Sequence, residues 1–160
     1  MCIRDRLSRD EANKQAQALI DKSGLTGFEG KHPSQLSGGM QRRAELIRAL
    51  INKPQVMLFD EPLRGLDAMT RQIMQEYIIK MFEETGMTMF FITSDVDEAI
   101  FLGDTVYFLT DRPGKVKTKM EVDLPRPRKL EHLTSERYFQ LKGDAIKIVM
   151  EEAKGEKLVI

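Results

Sequence analysis

The chain has 160 residues, 41% hydrophobic and 31% charged, with 25 Lys+Arg against 25 Asp+Glu. This is a globular rather than a disordered composition, and zero net charge argues against a broadly basic nucleic-acid surface or an acidic tail. One cysteine excludes an internal disulfide framework, two histidines cannot build a histidine-rich metal site, and no apolar run reaches the about 20 residues of a membrane helix. On length alone one domain is expected, in a reducing compartment.

Met1-Cys2-Ile3-Arg4-Asp5 shows no cap, turn or periodicity. The segment reads as the translation of a transposase-adapter end used in sequencing libraries, ATG-TGT-ATA-AGA-GAC, with Arg6 completed by an insert base. Residues 1–6 are therefore expected to be a foreign leader and are set aside from fold reasoning. Cys2 would then be absent from the natural protein, and the natural start would lie upstream.

Ser8-Arg9-Asp10-Glu11 has the spacing of a capping box. Ala12, Ala16, Leu19 and Ile20 recur at helical spacing, and Gly24 ends that helix. Gly27, Gly30 and Pro33 mark a loop. A second helix is predicted from near Ser37 to about Asn52, with Ala44, Ile47 and Ile51 on one face. Val56-Met57-Leu58-Phe59 is a short continuous apolar run, as expected of a strand buried on both faces in a parallel sheet.

Asp67 can cap a third helix carrying Ile73, Met74, Tyr77, Ile78, Met81 and Phe82 inward, with Gly86 as its end. Met87 to Thr93 reads as a second buried strand. Asp95 and Glu98 form a second capping box for a short helix ending at Gly103, and Thr105 to Leu109 is a third strand. Arg112-Pro113-Gly114 is a turn, and Lys115 to Asp123 fits an edge strand. Pro125 and Pro127 exclude strand or helix there. Thr134 to Lys154 is a last helix with Phe139, Ile146 and Val149 inward. Alternating strands and helices imply parallel crossovers in an α/β sheet, with ligands at the C-terminal strand ends. Those ends are Asp60/Glu61 and Thr93/Ser94/Asp95.

Leu36-Ser37-Gly38-Gly39-Met40-Gln41 opens a helix with a serine and two glycines. Its N–H groups and dipole suit an anion such as phosphate, and a plain N-cap with a flexible glycine pair is the alternative. Asp60, ending a buried strand, can hold Mg²⁺ directly or through water. Glu61 can orient or deprotonate an attacking water. A solvated Asp-Glu-Pro turn is the alternative there.

Together these residues resemble the C-terminal half of an ATP-binding-cassette (ABC) ATPase subunit. Leu36 to Gln41 is similar to the family signature, Val56 to Glu61 to its Walker B strand with the catalytic glutamate, and Leu66-Asp67 to its D-loop. Asp95-Val96-Asp97-Glu98-Ala99-Ile100, Arg112-Pro113-Gly114 and Asp123-Leu124-Pro125-Arg126-Pro127-Arg128 resemble the nitrate/sulfonate/taurine import branch. The resemblance implies the distal part of a P-loop NTPase (RecA-like) parallel sheet with the ABC helical subdomain. It divides the chain into a helical subdomain at 7–52, half of the core at 53–123, and a Pro-rich connector with a helix at 124–160.

The resemblance also implies ATP and Mg²⁺ as cofactors and a head-to-tail dimer of two such subunits. Ser37, Gly38, Gly39 and Gln41 would meet the nucleotide of the other subunit. Asp60 would organise Mg²⁺, Glu61 would act on the water, and Asp67 would communicate across the dimer. Transmembrane permease subunits and, indirectly, a substrate-binding protein are the further partners, at the cytoplasmic face of a bacterial inner membrane, with no nucleic acid.

Two departures from the family pattern matter. The chain has no G-x-x-x-x-G-K-[ST]. Gly30-Lys31 and Gly114-Lys115 are followed by His32 and Val116 and preceded, five residues before each glycine, by Leu25 and Leu109. The phosphate loop is expected in a missing N-terminal half, so the chain alone would be inactive and its sheet would expose an apolar edge. Ser94 stands where the family usually has a histidine. Serine can donate to phosphate but carries no charge near neutral pH, which implies slower or differently timed hydrolysis. Ser94 as the mere start of a capped helix is the alternative.

Two other functions remain open from sequence. One is a non-transport ABC ATPase acting on DNA or ribosomes, although no heptads precede Ser37. The other is an inert or regulatory half-domain. His32 reads as a surface residue. The stretch from Arg112 to Lys129, with seven basic and two acidic side chains, reads as a solvated face.

Overall fold

The computed structural model describes residues 8–155. The reading of residues 1–6 as a foreign leader lies outside them. Helix α1 (Arg9–Lys22) starts at the capping box: the Ser8 hydroxyl accepts from Glu11 N–H at 3.2 Å, and Ser8 N–H donates to Glu11 Oε2 at 3.0 Å. Its apolar stripe is only half-buried. Arg43 donates to the Ser23 carbonyl at 2.8 Å and so ties the end of α1 to helix α2 (Gly38–Leu50). A 3-10 turn at Pro33–Gln35 leads into α2.

Strand β1 (Val56–Asp60) runs through helix α3 (Ala68–Thr85) to strand β2 (Thr88–Ile92), and the two strands pair in parallel from Val56↔Thr88 to Asp60↔Ile92. The Asp67 side chain accepts from Thr70 N–H to cap α3, and Gly86 ends it at φ +61°, where only glycine is unstrained. Helix α4 (Val96–Leu102) follows, then strands β3 (Thr105–Leu109) and β4 (Val116–Glu121). A 3-10 turn at Leu130–Thr134 precedes helix α5 (Glu136–Gly155).

The expected parallel crossover is therefore realised once. The third strand does not extend the sheet: β3 pairs antiparallel with β4, and β1–β2 and β3–β4 are separate two-stranded sheets. The local reason is the short turn between β3 and β4. Thr110 N–H donates to the Lys115 carbonyl at 2.8 Å, and the Thr110 hydroxyl donates to the Pro113 carbonyl at 3.0 Å.

Burial on both faces of β1 and β2 is also corrected. Met57 and Phe59 point into the core, where Phe59 stacks on Phe91 at 4.2 Å, while Val56, Leu58, Phe90 and Ile92 are exposed on the other face. Helices α2 and α3 pack on one side only among the described residues. The exposed apolar surface thus includes a whole face of the sheet as well as the outer strand edges, which have no strand partner among the described residues.

In α5 the phase differs as well. Tyr138, Leu141 and Ala145 face inward, whereas Phe139, Ile146 and Val149 lie on the exposed side. The helix carries two apolar stripes, and periodicity alone does not say which one meets the β3–β4 hairpin. In α3, Ile73 is exposed and Ile79 takes a place in the core.

Two cores result. One gathers Met57, Phe59, Leu63, Met74, Ile78 and Phe101 around α3. The other gathers Ile100, Phe108, Val122, Leu124, Leu141 and Ala145 between the hairpin and α5. Helix α4 contributes adjacent residues to each.

Candidate functional site

The carboxyl ends of β1 and β2 converge. Glu61 sits at φ +44°, a left-handed conformation that a non-glycine residue adopts only where its surroundings enforce it. Three contacts do so. Glu61 N–H donates to the Ile92 carbonyl at 2.8 Å, the Glu61 carbonyl accepts from Arg64 N–H at 3.2 Å, and fully buried Leu63 anchors the turn. The Glu61 carboxylate then accepts Ser94 N–H through Oε1 at 3.1 Å. Asp60, one residue before, is exposed at the strand end.

The turn that carries Ser94 is itself tightly bonded. The Thr93 hydroxyl accepts Asp95 N–H at 3.0 Å and donates to Glu98 Oε2 at 2.9 Å. Asp95 Oδ1 accepts from the N–H groups of Asp97 and Glu98, at 2.8 and 3.2 Å. Asp95 thus caps α4, but the expected capping box does not close, because the Glu98 carboxylate reaches Thr93 instead of the Asp95 N–H. Burial raises the Glu98 carboxyl above the usual range. The Thr93 bond and Arg71 oppose that rise, and the Asp95 and Glu61 charges add to it.

At the start of α2, the Ser37 hydroxyl accepts Met40 N–H at 3.3 Å, which leaves the first helical N–H groups, of Gly38 and Gly39, facing outward from the helix end. Gly39 is buried, and a Cβ there would stand 2.7 Å from Thr70 Cγ2. Packing against α3 therefore requires glycine at 39, independently of any ligand. A Cβ at Gly38 would make an ordinary 3.6 Å contact with Leu66. The Gln41 amide donates to the Pro33 and Leu36 carbonyls at 2.8 and 3.1 Å, so it holds the preceding loop. Hydrogen bonding from Thr70 keeps the exposed Asp67 carboxyl below the usual range.

The structure thus brings Glu61 to Ser94, and sets Gly38 and Gly39, which follow Ser37, against the Leu66–Thr70 segment that contains Asp67. Sequence reasoning missed Arg71, and read Thr93 only as part of a strand end and Glu98 only as half of a capping box. The available signal was a glutamate at position 98 among the apolar residues of a short helix. In the Arg112–Lys129 stretch Arg112, Lys115, Lys119 and Lys129 are exposed, as expected of a solvated face, but Arg128 is only 1% exposed in its side chain and Arg126 lies 4.2 Å over the Phe82 ring. His32 is exposed, as expected.

No group of three or more His, Cys, Asp or Glu among the described residues could hold a metal ion. A lone exposed carboxylate at Asp60 still fits Mg²⁺, which commonly takes one or two carboxylates and completes its shell with water and substrate phosphates.

The family model described as ABC transporter matches residues 2–64. An uncharacterized ABC transporter ATP-binding protein of Methanocaldococcus jannaschii is 40% identical over 146 residues, covering 91% of this chain and 54% of that protein. The nitrate import ATP-binding protein NrtC of Synechococcus elongatus is 36% identical over 152 residues, covering 94% of this chain and 23% of that protein. The aliphatic sulfonates import ATP-binding protein SsuB of Shigella flexneri is 38% identical over 144 residues, covering 90% and 54%. The chain thus spans about half, or less, of the length of these relatives. The dimeric structure of a bacterial ABC transporter cassette aligns with a TM-score of 0.60 and 31% identity, over 74% of this chain and 50% of that one. In sequence and in fold the chain is thus similar to ABC transporter ATP-binding proteins, with homologues among those of nitrate and sulfonate importers.

Proposed function

We propose that the chain is the signature- and Walker B-bearing part of an ATP-hydrolysing importer subunit, serving a small anion such as nitrate, a sulfonate or taurine. The observation that carries this reading is Glu61. Its left-handed backbone and the Ser94 N–H bond present a fixed carboxylate beside Asp60 at the end of a parallel strand. A carboxylate so placed can accept a proton from, or orient, a water attacking a phosphoryl group.

In this reading Asp60 holds Mg²⁺, and bound Mg²⁺ offsets charge on the phosphate oxygens. The outward N–H groups of Gly38 and Gly39 offer a positive helix end to phosphate. The chain lacks a Walker A sequence, so the phosphate loop comes from sequence outside these 160 residues. Head-to-tail pairing with a second ATPase subunit, docking on transmembrane permease subunits and a place on the cytoplasmic face of the membrane complete the proposal. It is supported by the import functions of the nitrate and sulfonate relatives and by the dimeric cassette structure.

The test is Glu61→Gln, assayed in an assembly of this chain with a Walker A-bearing domain. Turnover should fall by about 100-fold, with ATP-bound dimers accumulating, as expected when a group acting in the transition state is neutralised. Turnover within about 2-fold of wild type would overturn the role of Glu61.

A further inference from the structure

We infer that Arg71 is a positioning residue that couples the turn before α3 to the carboxylate of Glu61. Its guanidinium is half-buried and faces three groups. Nη2 donates to the Leu66 carbonyl at 3.4 Å, Nη1 donates to Asp95 Oδ2 at 3.3 Å, and Nε stands 3.8 Å from Glu98 Oε1. Nε is buried without a hydrogen bond. One rigid planar group therefore spans the residue preceding Asp67, the cap of α4 and the buried Glu98, which a flexible ammonium cannot do at once.

From there the path continues through bonds already described. Asp95 and Glu98 fix the Thr93 hydroxyl and the first N–H groups of α4. Thr93 receives Asp95 N–H, and the peptide between them carries Ser94, whose N–H meets Glu61. A shift at Leu66–Asp67 thus reaches Ser94 N–H through Arg71 and changes how Glu61 is held. Gly38 and Gly39 pack on the same turn through Leu66 and Thr70, so the start of α2 bears on it too.

This inference rests on the hydrolytic role proposed for Glu61, and its experiment has two arms so that the two can fail separately. The first uses the 160-residue chain without nucleotide. In Arg71→Met, amide exchange at Ser94 should accelerate about 10-fold, while Phe101 and Leu102, in the last turn of α4, stay within about 2-fold. Arg71→Lys, which keeps the charge but loses the planar fork, should accelerate Ser94 as well. Unchanged exchange at Ser94, or equal acceleration along all of α4, overturns the link.

The second arm measures turnover in the assembly with a Walker A-bearing domain. Arg71→Met should lower kcat about 10-fold with KM for ATP within about 2-fold, and should add no further loss to Glu61→Gln. A loss additive with Glu61→Gln overturns coupling through Glu61. Absent turnover in the wild-type assembly counts against the proposed function, and the exchange arm still decides the link.

Discussion

The two sides of α4 are built on different principles. On the α3 side, a parallel strand pair rests one face on an apolar core and leaves the other exposed, and its strand ends carry Glu61 in a left-handed conformation. On the α5 side, an antiparallel hairpin and its connector are cross-linked by charged groups. Arg128 donates to the carbonyls of Leu124, Pro125, Val122 and Gly103 and reaches Asp104. Arg126 bonds Asp104 and the Leu102 carbonyl while stacking on Phe82. Asp97 accepts from Tyr138 and Lys142 of α5. The strained candidate site thus lies on the half-covered sheet, and the bonded scaffold lies on the other side.

The largest expected effect tests whether α4 joins the two cores. Phe101 and Ile100 are both fully buried but enter different clusters. Phe101→Ala should cost about 3–5 kcal/mol and Ile100→Val about 0.5–1.5 kcal/mol. Both should shift one cooperative urea transition, followed by circular dichroism. Two separated transitions in either variant would show that the regions unfold independently.

Arg128→Met comes next. It keeps an unbranched stem but removes the donors to four carbonyls, at a cost of about 2–3 kcal/mol. The readout is the urea midpoint at constant m-value. A loss below about 1 kcal/mol would mean that burial of Val122 and Leu124 alone holds the connector, and the contrast in construction would fall.

How much of this was legible in the sequence follows the range of each interaction. The caps at Ser8, Ser37 and Asp67 join residues three apart and are read directly. So is the apolar strand that delivers Asp60 and Glu61. What covers a strand is not local, so Val56–Phe59 looks buried on both faces when it is buried on one. The two apolar stripes of α5 compete on equal terms until the hairpin selects Tyr138, Leu141 and Ala145. Arg71 and Asp95 lie 24 residues apart, and Arg128 reaches back to Gly103 and Asp104, so neither arrangement leaves a periodic trace. The conformation of Glu61 is imposed by Ile92 and Leu63, not by its own preference.

A smaller effect separates the two sides by pH. Asp97 and Glu98 are neighbours on α4 with opposite environments. Burial pushes the Asp97 carboxyl up, but the hydrogen bonds from Lys142 and Tyr138, with the Lys142 charge, outweigh it and hold the value below the usual 3.8. Its stabilisation is present above that value and is lost as pH falls through the lower folded one. The advantage of wild type over Asp97→Asn should therefore shrink on acidification below about pH 4. Glu98 has the reverse sign: burial raises it above 4.5, so the folded state holds the proton more tightly, and stability falls as pH rises from there through the folded value. Glu98→Gln should gain on wild type over that rise. Urea midpoints across pH 3–7 measure both, and parallel slopes for the two variants would erase the difference between the sides.

The smallest expected effect concerns the open face. Leu58 is 76% exposed and Phe59 6%, although both belong to one apolar run. Leu58→Thr removes little buried area and introduces a β-branched side chain suited to a strand, so stability should change by no more than about 0.5 kcal/mol. Phe59→Ala, one residue on, should cost about 3–5 kcal/mol through the lost stack with Phe91 and the cavity left behind. The ratio of these two costs, from urea unfolding of the same chain, measures how one-sided the sheet is. A cost above about 1 kcal/mol for Leu58→Thr would show the face to be covered within the chain, and would remove the asymmetry that sets the side of the candidate site apart from its scaffold.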